Sequence, residues 1–285
     1  MLGGVLRFLI PVRQFHQLLY KPMHAVYALW AQCNFVIMNM CNKIDWQITG
    51  NFELNKSSWY LIIANHQSWL DIFVLSAFTS KHTSTGKYFL KDSLKHIPFL
   101  GMACKTLDMP FMKRYSQEFL KKNPHLKGTD IESTRKSCQS FKENPTAIIN
   151  FVEGTRFTRQ KKQHTQSPFN NLLPPKAGGI AFTLAALGEQ FDKIINISIV
   201  YPDNPGHIMK DMLAGKLTSI VIDVELIDIT PDLIGDYFGD TTFKNHFQQW
   251  LNGIWQQKDY KIAKINASQI TVMSQNPIEN FSKTR

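Results

Sequence analysis

The stretch "IIANHQSWLDIF", Ile62 to Phe73, decides how the chain is read. Together with Trp59-Tyr60-Leu61 before it, Ile62-Ile63-Ala64 forms a short continuous apolar run, the pattern of a strand buried on both faces. Asn65 to Ser68 then interrupt with four polar residues, and Leu70, Ile72 and Phe73 open a helical pattern over about 69–79. Ser68-Trp69-Leu70-Asp71 has the capping-box form, in which the hydroxyl and the carboxylate each take an orphan backbone N–H at the helix start. Strand, polar turn and capped helix in that order make the repeating unit of an α/β sheet.

Working outward, further strand-like runs lie at 46–50, 87–91, 146–151, 194–201 and 219–227, with helical patterns at 114–122, 130–143 and 176–189. Thr129-Asp130-Ile131-Glu132 is a second capping box. The alternation predicts an α/β fold: a mostly parallel mixed sheet flanked by helices on both faces. Residues 154–171 read as a long, polar, basic loop. Phe243, Phe247, Trp250, Leu251, Ile254 and Trp255 recur at helical spacing, which suits a helix covering the core better than one lying on a membrane.

The 285 residues are 44% hydrophobic and 19% charged, the composition of a chain that folds. Lysine and arginine number 32 against 22 acidic residues, and this net charge of +10 favours anionic partners: nucleic acid, lipid headgroups or phosphorylated small molecules. Nothing resembles a helix-turn-helix, a zinc finger or an RNP motif, so a basic nucleic-acid-binding protein is a distant alternative and no nucleic-acid partner is expected. Cys33, Cys41, Cys104 and Cys138 show no CxxC spacing, so free thiols are expected rather than a zinc site or a disulfide framework.

The first 44 residues carry Arg7, Arg13, Lys21 and Lys43 but no acidic residue, and Pro22 to Asn42 is free of charge. His24, Gln32, Asn34 and Asn39 fall on one half of a helical wheel, with Tyr27, Trp30, Val36 and Ile37 largely opposite. The expectation is an amphipathic helix lying in a membrane interface; packing on the domain, or a membrane span polar for its kind, are the other outcomes for such a segment. Arg7 and Pro11 break the apolar run and no A-x-A pattern follows, so a cleaved signal peptide is not expected. The expected divisions are an N-terminal membrane-associating segment (1–44), an α/β domain (45–235), a C-terminal amphipathic helix (236–265) and a polar tail (266–285).

Chemistry has few candidate bearers, because GxSxG, HExxH, Walker-type and GxGxxG patterns are all missing. Asn65-His66 stands at the carboxyl end of a strand, where α/β sheets place ligands. Asp71 follows five residues on. A carboxylate on one ring nitrogen fixes the tautomer and steadies the imidazolium that forms when the other takes a proton. Asp71 also suits the capping box, and a helix-starting role alone accounts for it equally well. In "NFVEGTRFT", Asn150 to Thr158, a strand ends and Glu153-Gly154-Thr155-Arg156 turns out of it. The glycine permits a tight turn, and exposed N–H groups beside a guanidinium suit a phosphate. Lys113-Arg114 follow an apolar segment in "LDMPFMKRYS" and by themselves read as a solvated helix start.

Taken together and in this order, "NHQSWLD", "DMPFMKR" and "VEGTR" resemble the NHxxxxD, arginine-bearing and EGTR blocks of the glycerolipid (1-acylglycerol-3-phosphate, or lysophosphatidic-acid) acyltransferase family. "KYFLKDSLKHIPFLG", "NLLPPKAGGIAF" and "FKNHFQQWLNGIWQQ" look like its bacterial long-acyltransferase branch, and the chain is similar also to lysocardiolipin acyltransferases. The resemblance implies His66 as catalytic base with Asp71 as its partner. It implies that Arg114 and Arg156 hold the acceptor phosphate, that Glu153, Gly154 and Thr155 shape that pocket, and that Lys91 and Lys176 are basic residues near it. The reaction it implies is transfer of a fatty acyl group from acyl-CoA or acyl carrier protein, as co-substrate and without cofactor or metal, to a lysophospholipid, chiefly 1-acyl-sn-glycerol 3-phosphate. Lysophosphatidylglycerol and lysocardiolipin are alternative acceptors. An anionic membrane surface on the cytoplasmic face of an inner membrane is the expected location.

Overall fold

The computed structural model describes residues 13–112, 141 and 144–275. The capping box at 129–132, the helices expected at 114–122 and 130–143 (Phe141 apart) and Arg114 lie outside the described residues.

A six-stranded sheet forms the centre, in the order β1 (Asp45–Thr49), β8 (Ser219–Ile227), β7 (Lys193–Val200), β2 (Tyr60–Ala64), β6 (Ala147–Phe151), β3 (Gly86–Tyr88). All neighbours are parallel except β7 and β8, which makes the sheet mixed and mostly parallel as the sequence predicts. Every residue of β2 is buried. Tyr60, Ile62 and Ala64 point to one face and Leu61 and Ile63 to the other, the two-residue period of a strand.

Helix α1 (Arg13–Cys41) and α2 (Leu70–His82) cover the first of these faces, α2 contributing Leu70, Val74, Leu75 and Phe78. A short α3 (Leu100–Thr106) follows, beside the two-stranded sheet of β4 (Leu90–Lys91) and β5 (Phe111–Met112). The apolar run at 87–91 therefore divides at Phe89 between two sheets. A six-residue helix, α4 (Arg159–His164), occupies part of the expected long loop, started by Thr158, whose Oγ1 accepts from Lys161 N at 3.2 Å.

The second face is covered by α5 (Ala177–Leu187) and by α7 (Thr241–Gln275), which brings Phe247, Leu251, Trp255 and Ile262; the small α6 (Ile208–Leu213) lies between β7 and β8. Helix α7 extends into the stretch assigned from the sequence to a polar tail. After β2 the chain crosses by α2 to β3 and β6 on one side, and after β6 by α5, on the opposite face, to β7 on the other side. The strand order thus reverses at β2, and the carboxyl ends of β2, β6 and β7 are the place where open α/β sheets bind ligands.

Helix α1 departs from the wheel drawn from its sequence. Met23, His24, Tyr27, Ala31 and Met38 are buried against the domain, whereas Val26, Leu29, Val36, Ile37 and Met40 are exposed. Packing against α2 selects the buried side, because Tyr27 OH donates to Ser76 Oγ at 3.0 Å and the Trp30 ring sits 5.7 Å from that of Phe73. Tyr88 gives its single hydroxyl proton to Ile72 O (3.0 Å), so Ser76 is the donor in its 3.2 Å contact with Tyr88. An ordered chain of hydroxyls thereby joins α1 to the first turn of α2.

Candidate active site

Where β2 ends, Asn65 takes over the sheet's pairing with its side chain. Its Nδ2 donates to Ile199 O at 2.9 Å and its Oδ1 accepts from Ile199 N at 2.8 Å, so a fully buried amide mimics one more peptide bridge to β7. The main chain can then leave the sheet and present His66.

Asp71, in the first turn of α2, is fully buried. Its Oδ2 accepts from Gln67 N at 2.6 Å and Ser68 N at 2.9 Å, and lies 2.8 Å from His66 Nδ1. An oxygen already taking two amide protons is an acceptor, so Nδ1 carries the ring proton and Nε2 has its lone pair free. Oδ1 accepts from Tyr201 OH at 2.7 Å. Burial, with Asp71 beside it, pushes the Tyr201 phenol well up, so it remains a neutral donor. The reach-back arm of the capping box is therefore formed, and the same carboxylate orients the imidazole: the two roles coexist on one side chain. Ser68 Oγ accepts from Leu70 N at 3.2 Å.

The imidazole is 12% exposed and stacks on Phe151, at the end of β6, with centroids 4.0 Å apart. Its main chain is fixed on both sides by the turn after β6: His66 N donates to Glu153 Oε1 at 2.9 Å, and Phe157 N donates to His66 O at 2.7 Å. Glu153 is turned inward and buried, its other oxygen accepting from Leu173 N at 2.9 Å. Burial pushes this carboxyl up to about 7, against the lowering effect of its two backbone N–H bonds. Gly154, at φ 68°, makes the reversal after Glu153 in the left-handed region that glycine enters freely.

The remaining residues of that turn face outward. Arg156 is exposed and lies over the Trp69 ring, 4.7 Å from its centroid. Its guanidinium donors at the edge stay open to an anion while its face is stacked. Lys161 Nζ donates to Thr155 Oγ1 at 2.6 Å and Arg156 O at 3.0 Å, adding a cation to the turn. Lys176 is exposed at the start of α5, its N–H donating to Val152 O at 2.9 Å. Lys91 ends β4, opposite Met112, and is described here by its main chain alone. The structure thus brings His66, Asp71, Glu153, Gly154, Thr155 and Arg156 together beyond the carboxyl ends of β2 and β6. Tyr201, Phe151, Trp69 and Lys161 join them without having been read from the sequence. Trp69 and Lys161 were findable, as a tryptophan beside the histidine turn and a lysine five residues beyond Arg156.

A histidine held by a buried carboxylate thus stands at the carboxyl end of a central parallel strand of an α/β sheet, with a cationic turn alongside. Residues 45–201, more than half of the chain, match the model of the Acyltransferase family, and the chain belongs to that family. It is 32% identical over 167 residues to the 1-acyl-sn-glycerol-3-phosphate acyltransferase of Saccharomyces cerevisiae, covering 58% of this chain and 47% of the yeast protein. To the 2-acyl-1-lysophosphatidylinositol acyltransferase of the same yeast it is 26% identical over 240 residues, covering 69% of this chain and 59% of that one. The chain therefore spans roughly half the length of these curated relatives. Among solved structures it is similar to the PlsC acyltransferase of Thermotoga maritima, with a TM-score of 0.46 and 18% identity over 90% of this chain and 87% of the other.

Proposed function

We propose that this chain transfers a fatty acyl group from an acyl thioester, acyl-CoA or acyl carrier protein, to the free hydroxyl of a lysophospholipid, with 1-acyl-sn-glycerol 3-phosphate as acceptor. The observation that carries the reading is the His66–Asp71 contact of 2.8 Å beside the turn bearing Arg156. His66 Nε2 removes the acceptor's hydroxyl proton as that oxygen attacks the thioester carbonyl carbon. The C–S bond then breaks, and the departing thiolate recovers the proton from the imidazolium. Asp71 holds the ring in the required tautomer and offsets its transient charge. Arg156, with Lys161 beside it, binds the acceptor phosphate. No enzyme nucleophile, metal or cofactor is needed for direct transfer, the thioester being a co-substrate.

The outward face of α1 suits the same reading. Leu29, Val36, Ile37 and Met40 form an apolar stripe with Trp30 at its edge, and Lys21 and Lys43 flank it, an arrangement for the interface of an anionic membrane on the cytoplasmic side. Among the described residues no helix is long and apolar enough to cross a membrane. A second acceptor reading, the same reaction on a lysolipid with a larger headgroup, is favoured by the similarity to the yeast lysophosphatidylinositol enzyme. The test is purified protein in detergent with a panel of lysophospholipids and both thioester classes, read by lipid mass spectrometry. Diacyl product from lysophosphatidic acid is expected, and no product in any combination overturns the reading.

A further inference from the structure

Just past the end of β7 the chain aims a tyrosine at the carboxylate behind the candidate base. Ile195, Ile197, Ile199 and Tyr201 alternate onto the face of the sheet that α2 covers, by the two-residue period of a strand. Two residues before Tyr201, Ile199 is gripped by Asn65 through both its N–H and its carbonyl, and Gln67 Nε2 donates to the same carbonyl at 3.1 Å. The end of β7 is thereby fixed to the segment that carries His66. Tyr201 is 2% exposed, and its hydroxyl donates to Asp71 Oδ1 at 2.7 Å.

The two oxygens of Asp71 are loaded unequally. Oδ2 accepts from Gln67 N, Ser68 N and His66 Nδ1, whereas among the described residues Tyr201 alone donates to Oδ1. Three donors on Oδ2 already set the direction of the carboxylate, so orientation does not require the phenol. What the phenol adds is a fourth share in one negative charge. Phenylalanine would fill the same space, and the hydroxyl differs from it by that share.

We propose that Tyr201 is a positioning residue for acyl transfer: by taking up part of the Asp71 charge, its hydroxyl lets Asp71 orient His66 without holding the imidazole protonated at neutral pH. The inference rests on the reading of His66 as the base. A carboxylate 2.8 Å from the ring favours the imidazolium, whereas a general base must be free of its proton near the working pH. Burial and the Asp71 charge push the phenol well up, so it shares that charge by donating and not by ionising. The other titratable groups that feel Asp71 are Glu153, in the turn after β6, and Tyr88 of β3; burial pushes both up and the Asp71 charge adds to it. Arg156 and Lys161 stand on the outward side of the Glu153 turn.

The test compares kcat/KM against pH for wild type, Tyr201→Phe and Asp71→Asn, with lysophosphatidic acid and acyl-CoA. In Tyr201→Phe the acid limb is expected to move upward by about half a unit to one unit, because the imidazolium gains the share of charge that the phenol gave up. On the plateau above that limb, kcat/KM stays within about tenfold of wild type and well above Asp71→Asn. The shift recurs when Tyr201→Phe is made in Glu153→Gln, which removes the carboxyl that titrates at about 7. A limb that is unmoved or lowered overturns the inference, even where Tm falls, since a purely structural hydroxyl gives that result. A plateau loss equal to that of Asp71→Asn also overturns it. Where Tyr201→Phe does not fold, Tyr201→3-fluorotyrosine decides: its more acidic phenol donates more strongly and moves the limb downward, and an unmoved or raised limb overturns the inference. If wild type transfers no acyl group, the functional reading fails separately. Proton NMR of the His66 ring, assigned against His66→Ala, then decides: a titration midpoint raised in Tyr201→Phe supports the inference, and one unchanged or lowered overturns it.

Discussion

Glu153 holds His66 by the main chain and not by the side chain: Oε1 accepts the His66 amide at 2.9 Å, while the imidazole turns away to Asp71. Orientation of the ring and placement of its backbone are thus assigned to two carboxylates on different segments. Each can be removed separately.

His66→Ala is expected to lower kcat by about 10²–10⁴, the usual worth of a positioned general base. Circular dichroism should be unchanged and Tm should fall little, because Asp71 Oδ2 keeps its two backbone N–H donors when the ring is removed. Turnover within a few-fold of wild type would show that the base lies elsewhere.

Tyr201→Phe removes the donor to Asp71 Oδ1 in a fully buried setting. A stability loss of about 1–3 kcal/mol is expected from the unsatisfied oxygen, read by denaturant unfolding. Activity should fall less than in Asp71→Asn. There an amide NH2 on the Oδ2 side would meet Gln67 N–H and Ser68 N–H, and one on the Oδ1 side would face the Tyr201 hydroxyl.

Stability against pH carries the signature of two buried groups, Glu153 and Lys258. Glu153 has a folded pKa raised from 4.5 to about 7, so the folded state binds more protons over that window and stability falls as pH rises through it. Lys258 has one lowered from 10.5 to about 7, so the folded state binds fewer protons and stability rises from about 7 toward 10.5. The Tm difference between Glu153→Gln and wild type should therefore shift in the variant's favour between pH 5 and 7. A constant difference would contradict these shifts.

Arg156→Ala should raise acceptor KM roughly 10- to 100-fold with a smaller effect on kcat, the loss of one charge-assisted contact worth about 1.5–3 kcal/mol. Arg156→Lys should behave more like alanine than like arginine, because an ammonium does not reproduce a planar group stacked on Trp69. The readout is steady-state kinetics against lysophosphatidic acid.

Ile37→Asp and Met40→Asp place charges on the outward face of α1, where these residues are 57% and 81% exposed. Sedimentation with anionic vesicles should drop about tenfold or more for the pair while Tm in detergent holds, as each buried apolar side chain contributes about 1.5–3 kcal/mol to partitioning. Unchanged vesicle binding would place the membrane contact on another surface.

Much of this was legible because burial on both faces leaves a continuous apolar run at Tyr60 to Ala64, and because isoleucine and valine dominate Ile194 to Val200 and Ile220 to Val224 despite their few polar residues. Helix α4, "RQKKQH", has no apolar period to betray it and depends on the Thr158 cap. Of the site, the histidine, the carboxylate and the cationic turn are local patterns and could be read. Tyr201 could not, because it meets Asp71 across 130 residues of chain and sits at the end of a run that looks like ordinary core. Lys258 left a trace, a charge on the seam between Trp255 and Ile262, though its acceptor Ile197 O is distant in sequence.

The line of hydroxyls from Tyr27 through Ser76 and Tyr88 to Ile72 O bears on how the protein can be handled. Cutting the chain before Asp45 removes a donor from inside the fold and strips the cover from α2. Such a truncation would loosen the helix whose next residue back is Asp71. For this chain the N-terminal helix is a wall of the α/β fold, and keeping residues 13–44 keeps the hydroxyl line and the cover of α2 in place.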